Sequence, residues 1–227
     1  MSIMAASALV ILALMVAGIW YVVRSKTTTP SQPSKPPAVS PVGPEQSLTY
    51  WLTVQRMRNN KPDGELFDSA GQDIFITGWK FRFNIQPAQD GALYLLSVGP
   101  AKNGAPEYNI LFPLPRENRL DAKLAANQTT QSSWSYFVEK NGVERLCIIW
   151  AAQPLPELDA IFRDAAGNKK DPGVVADPAQ ISQMEAYLKK YDDDRPEVIA
   201  DKSKKRTFVK GRGDVLVNLV ELSHEAK

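Results

Sequence analysis

The chain has 227 residues with 27 basic and 25 acidic side chains, and its net charge of +2 is local: Arg24, Lys26 and Lys35 face only Glu45 in the first 45 residues. The remaining stretch, long enough to bury one core, is therefore neutral and has no electrostatic footprint for nucleic acid. A single cysteine, Cys147, excludes an intramolecular disulfide or thiol metal cluster, and a single histidine, His224, three residues from the C-terminus, argues against zinc sites and Ser/His or Cys/His pairs that use an ordered imidazole.

Residues 1–23 contain no charge, and the run from Ile3 to Val23 is almost continuously apolar. At about 1.5 Å per residue it spans a hydrocarbon layer of about 30 Å. Trp20 and Tyr21 sit against the flank Arg24-Ser25-Lys26, where interfacial aromatics and snorkelling cations belong. A cleaved secretory signal needs cations before the apolar stretch and a small-x-small site after it. No Lys or Arg precedes, and bulky Ile19 to Val23 follow Ala17-Gly18, so residues 1–24 are read as a single transmembrane anchor. The flanking cations favour a cytoplasmic domain, and the side of the membrane stays open.

Residues 25–46 carry prolines at 30, 33, 36, 37, 41 and 44 among Ser, Thr and Gln. This composition buries no core and favours extended polyproline II, so it is expected to be a disordered spacer, in which residues 27–45 alone reach about 60 Å.

From residue 47 to 227 the pattern is mainly β. Leu48 to Val54 forms a first strand dense in β-branched and aromatic residues. Trp79 to Ile85 alternates, placing Trp79, Phe81, Phe83 and Ile85 on a buried face and Lys80, Arg82 and Asn84 on a wet one. After the Asp90-Gly91 turn, Ala92 to Val98 reads as a more fully buried strand, expected to pair with its predecessor as a hairpin. Tyr108 to Phe112, Trp134 to Val138 and Glu144 to Trp150 complete six strands of a sandwich or barrel-like antiparallel sheet.

The period then changes. Leu158, Ile161, Phe162 and Ala165 share one helical face, with Gly167 as a stop. Asp177-Pro178-Ala179-Gln180 has the form of a capping box, followed by Ile181, Met184, Leu188 and Tyr191 on one face. Arg206 to Val209, the Gly211-Arg212-Gly213-Asp214 turn and Val215 to Leu222 predict a C-terminal hairpin, its last strand covered on both faces.

Few residues invite chemistry. Asp192-Asp193-Asp194 lacks the spaced oxygens and glycine turn of a calcium loop and reads as a solvated helix end. Arg212-Gly213-Asp214 reads as a turn rather than an adhesion tripeptide. Lys202, Lys204, Lys205, Arg206, Lys210 and Arg212 form a basic cluster whose field nearby carboxylates offset. Cys147 lies in an apolar strand as a small core residue. Around Gly71 no phosphate-loop lysine follows, so nucleotide binding has no support. No catalytic, cofactor-binding or metal-ligating residue is assigned.

The ordered set Gly71-Gln72-Asp73-Ile74-Phe75, Phe81-Arg82-Phe83-Asn84, Gly91-Ala92-Leu93-Tyr94-Leu95, Tyr108-Asn109-Ile110-Leu111-Phe112-Pro113 and Glu144-Arg145-Leu146-Cys147-Ile148-Ile149-Trp150 resembles the bacterial DUF4384 family, a domain of unknown function. The resemblance implies a β-rich accessory module without catalytic residues, of a kind attached to serine/threonine kinases or caspase-like peptidases, and with the anchor it implies a bacterial inner membrane. Here the expected function is a membrane-tethered module for protein interaction or sensing, without cofactor. A carboxylate enzyme using two of Asp68, Asp73 and Asp90, and a structural envelope protein, are the alternatives.

Overall fold

In the computed structural model the described residues are 43–102, 105–113, 121–138 and 141–226. The predicted anchor, residues 3–23, and the proline-rich segment as far as residue 42 lie outside them. Among the described residues no helix is long and apolar enough to cross a membrane. The strands are β1 (Glu45–Gln55), β2 (Met57–Arg58), β3 (Lys61–Pro62), β4 (Phe67–Ser69), β5 (Phe75–Ile76), β6 (Lys80–Pro87), β7 (Gly91–Lys102), β8 (Ala105–Phe112), β9 (Lys123–Leu124), β10 (Thr130–Gln131), β11 (Ser135–Tyr136) and β12 (Gly142–Ala151). Helices α1 (Pro156–Ala166) and α2 (Pro178–Lys189) precede β13 (Glu197–Asp201), β14 (Arg206–Arg212) and β15 (Val215–Glu225).

Apart from the two-stranded ribbon β2-β3, the strands divide into two sheets. The first has the order β10-β6-β1-β14-β13, with β4 also on β1 and β11 also on β6. The second has the order β5-β15-β12-β7-β8, with β9 on β7. All these pairs are antiparallel except β5 with β15. Leu48, Tyr50, Leu52 and Val54 of β1, and Phe81, Phe83 and Ile85 of β6, meet Leu93, Leu95, Leu146, Ile148 and Trp150 of the second sheet in one buried cluster. At one end of that cluster Phe137 packs against Phe75 and Phe81, with ring centroids 4.7 and 4.5 Å apart.

A second cluster lies on the other side of the second sheet. There Tyr94, Leu96, Cys147 and Ile149 pack under Leu158, Ile161, Phe162, Ala165 and Met184 of the helices. The protein is thus sheet on sheet with a helical layer over the second sheet. This explains why Ala92 to Leu96 and Leu146 to Ala151 read as unbroken apolar runs: both faces are covered. The α1 face is as the periodicity predicts. On α2 only Met184 is fully buried. Asp177 caps α2 by accepting the Ala179 N–H at 2.9 Å, but Gln180 donates to Asp164 instead of closing the box.

Both predicted hairpins are corrected. β6 and β7 belong to different sheets, as do β14 and β15, so Asp90-Gly91 and Gly213-Asp214 are corners at which the chain crosses the sandwich. Turn residues license a tight reversal and leave the next pairing partner open; burial chooses it. β6 has one apolar face and joins the sheet without helices, whereas β7 is apolar on both and joins the covered one. At the first corner a Cβ on Gly91 would lie 2.4 Å from the Trp150 ring and 2.5 Å from the Ala151 carbonyl oxygen, so only glycine fits. At the second, Gly213 has φ +112°.

Two smaller departures follow. Glu45 and Gln46 belong to β1 rather than to the spacer, and Gln46 is buried, accepting the Trp150 indole N–H at 2.9 Å. The predicted two-sided cover of the last strand is partial: Val217 lies under the helical layer, while Leu219 is 43% exposed.

Candidate functional site

With helices on the second sheet only, the outer face of the first sheet presents whatever β1, β6 and their neighbours carry on alternate positions. On β1 these are Thr49, Trp51 and Thr53, and on β6 they are Lys80, Arg82, Asn84 and Gln86. Register places Trp51 beside Asn84 and Thr53 beside Arg82. Asn84 stands next to Gln131 of β10, and Lys80 next to Tyr136 of β11.

A hydrogen-bonded chain crosses this face. Arg206 Nη1 donates to Asp68 Oδ2 at 3.2 Å, and Thr53 Oγ1 donates to Asp68 Oδ1 at 3.1 Å. Asn84 Nδ2 donates to Thr53 Oγ1 at 2.9 Å, and Gln131 Nε2 to Asn84 Oδ1 at 2.8 Å. Asn84, expected to be wet, is therefore buried as the middle of a polar relay.

Cations lie over aromatic rings across the same face. The Arg206 guanidinium is 3.8 Å from the Trp51 ring centroid, Arg82 is 4.8 Å from that of Trp134, and Lys80 Nζ is 4.9 Å from that of Tyr136. Trp134, Tyr136 and Val138 are 40, 50 and 54% exposed, while Phe137 between them is buried in the core. This is the inverse of the usual strand, with its large apolar residues on both sides. Trp51 and the Trp134-x-Tyr136-x-Val138 alternation carry that signal in the sequence, where it passes for the buried face of an ordinary strand.

Comparison with protein-family models, with curated proteins and with solved structures found no match.

The residues singled out from sequence are scattered among structural tasks. Asp68 is tied to Arg206 and Thr53; Asp73 accepts from the Ser69 hydroxyl in the β4–β5 loop; Asp90 accepts the Ala126 N–H at 2.7 Å. Three of the clustered cations have carboxylate partners, Lys204 with Asp201, Arg206 with Asp68 and Lys210 with Glu45. Asp192 pairs with Arg195 just beyond α2. Arg212-Gly213-Asp214 is the second corner. Among the described residues no three His, Cys, Asp or Glu side chains gather as metal ligands. Cys147 is fully buried, and that burial pushes its thiol up to about 12.

His224 is corrected outright. It is an ordered residue of β15 with a buried side chain, its Nδ1 3.0 Å from the Thr77 hydroxyl and its Nε2 3.5 Å from Glu144 Oε1. The line hydroxyl, imidazole, carboxylate has the composition of a catalytic triad. Its surroundings do not: Phe137 packs on the ring, and the nearby backbone N–H groups are taken, Thr77 by Glu225, Gly78 by Phe137, Trp79 by Ile76 and Val138 by Glu144. No donor among these is left for an oxyanion. The arrangement ties β15 to the turn after β5 and to β12.

Proposed function

We propose that the chain is a membrane-tethered, non-catalytic module for protein interaction or sensing, and that its contact surface is the outer face of the first sheet. The supporting observation is the asymmetry of the sandwich: one outer face is under helices, and the other displays Trp51, Trp134 and Tyr136 among Lys80, Arg82 and Arg206. Aromatic and arginine side chains on an uncovered face are the composition of interaction hot spots. The apolar run and proline-rich segment support a tether in a bacterial inner membrane, and the resemblance to DUF4384 supports a signalling kinase or caspase-like peptidase as the partner.

The test is cross-linking in membranes followed by recovery of the full chain, comparing wild type with Trp134→Ser/Tyr136→Ser. Loss of the cross-linked partner with an unchanged melting temperature is the expected result; recovery of the same partner by both would remove this face from the function. Orientation is tested with a cysteine at Ser34 on a Cys147→Ala background. Labelling by an impermeant maleimide only after lysis supports the cytoplasmic placement, and labelling of intact cells refutes it.

A further inference from the structure

Cations on the outer face of the first sheet fall into two kinds. Arg206 and Lys210 have their charges met by Asp68 and Glu45. Lys80 and Arg82 meet no carboxylate within ion-pair distance among the described residues; each lies over an aromatic ring instead. Arg82 Nε is in addition shielded from solvent and has no hydrogen-bond acceptor. That N–H forgoes a bond within the domain, and with no carboxylate beside it the guanidinium's charge is left for an incoming carboxylate to meet.

Stacking on Trp134 and Tyr136 holds both cations in place, so less side-chain entropy is lost when an anion arrives. Their spacing is also informative. Residues 80 and 82 point from the same face of one strand and are separated by about 6.7 Å along it. An extended polypeptide repeats its own side chains on one face with that same period.

We infer that Lys80, Arg82, Trp134 and Tyr136 form a docking strip for an extended acidic segment of a partner protein, with carboxylates at alternate positions. This deepens the proposed function and rests on it. The carboxylates pair with the Lys80 ammonium and the Arg82 guanidinium, and the intervening chain lies against the exposed indole and phenol rings.

The test uses the detergent-solubilised full chain and fluorescein-labelled peptides read by anisotropy: alternating (Glu-Ser)5, the block arrangement of the same residues, and (Gln-Ser)5. The alternating peptide binds best, weakens as salt rises, and loses about tenfold in affinity to Lys80→Gln/Arg82→Gln at unchanged melting temperature. Equal binding of the block or Gln peptide overturns the inference without recourse to any variant. So does an affinity that the double substitution leaves alone, or binding confined to polygalacturonate or to phosphatidylglycerol vesicles. Should the alternating peptide fail while Trp134→Ser/Tyr136→Ser still removes the cross-linked partner, the docking chemistry is wrong and the interaction surface stands. Should it bind while that partner is unaffected, the chemistry stands and the functional reading falls.

Discussion

His224 and Cys147 are the rarest side chains in the protein, and both serve the interior. Truncating His224→Ala leaves the Thr77 hydroxyl and the Glu144 carboxylate without the ring between them. A loss of about 1–3 kcal/mol in urea unfolding is expected. Neither the position near the terminus nor the lone occurrence revealed this, because the partners come from β12 and from the turn after β5, far away in sequence. Cys147 was legible: a thiol inside Leu146 to Trp150 is a core residue by its neighbours alone. Burial raises its pKa to about 12, and burial likewise raises Tyr108 to about 12 and lifts Tyr94. Each of these groups keeps its proton longer in the folded state than in the unfolded chain. Their contribution is complete below the unfolded values, about 9 for the thiol and about 10 for the phenols, and is lost as pH climbs toward the folded ones. Stability is expected to fall between pH 8 and 11, and Cys147→Ala to flatten the first part of that fall, as read from urea midpoints.

At the scale of elements, strands with a strong pattern were located to within a few residues, as were both helices, because periodicity and capping are local properties. What stayed hidden was which sheet each strand joins. Asp90-Gly91 and Gly213-Asp214 have hairpin chemistry, and only the difference between a one-faced β6 and a two-faced β7 distinguishes a hairpin from a corner. Short strands such as β4, β5 and β13 lack enough residues for any period, and β13 has only Val198 and Ile199 as large apolar side chains. The corner reading makes Gly91 a sharp test. Gly91→Ala drives a methyl group into the Trp150 ring and the Ala151 carbonyl, and a destabilisation of about 1–3 kcal/mol is expected in thermal or urea unfolding. A hairpin glycine in a solvent-exposed turn would tolerate the change better.

Over the whole molecule, charge disclosed the neutral domain and periodicity the mainly β fold, but neither disclosed the surface that matters. A strand alternation that hides Phe137 and leaves Trp134, Tyr136 and Val138 outside is ambiguous until the opposite face is seen to be filled. The order of the strands adds a consequence in time. β1 takes β14 as a neighbour and β12 takes β15, so β1 and β12 each keep a bare edge until those later strands have been synthesised. Such long-range pairing is slow, on the order of milliseconds to seconds. A chain stopped after residue 212 is expected to remain protease-sensitive and to aggregate, whereas extension through the 11 residues of β15 allows both sheets to close. Limited proteolysis of chains stopped before and after β15 reads this out. Closure of the domain thus waits on β14 and β15, so the part of the aromatic face that Trp51 and Arg206 share is assembled late.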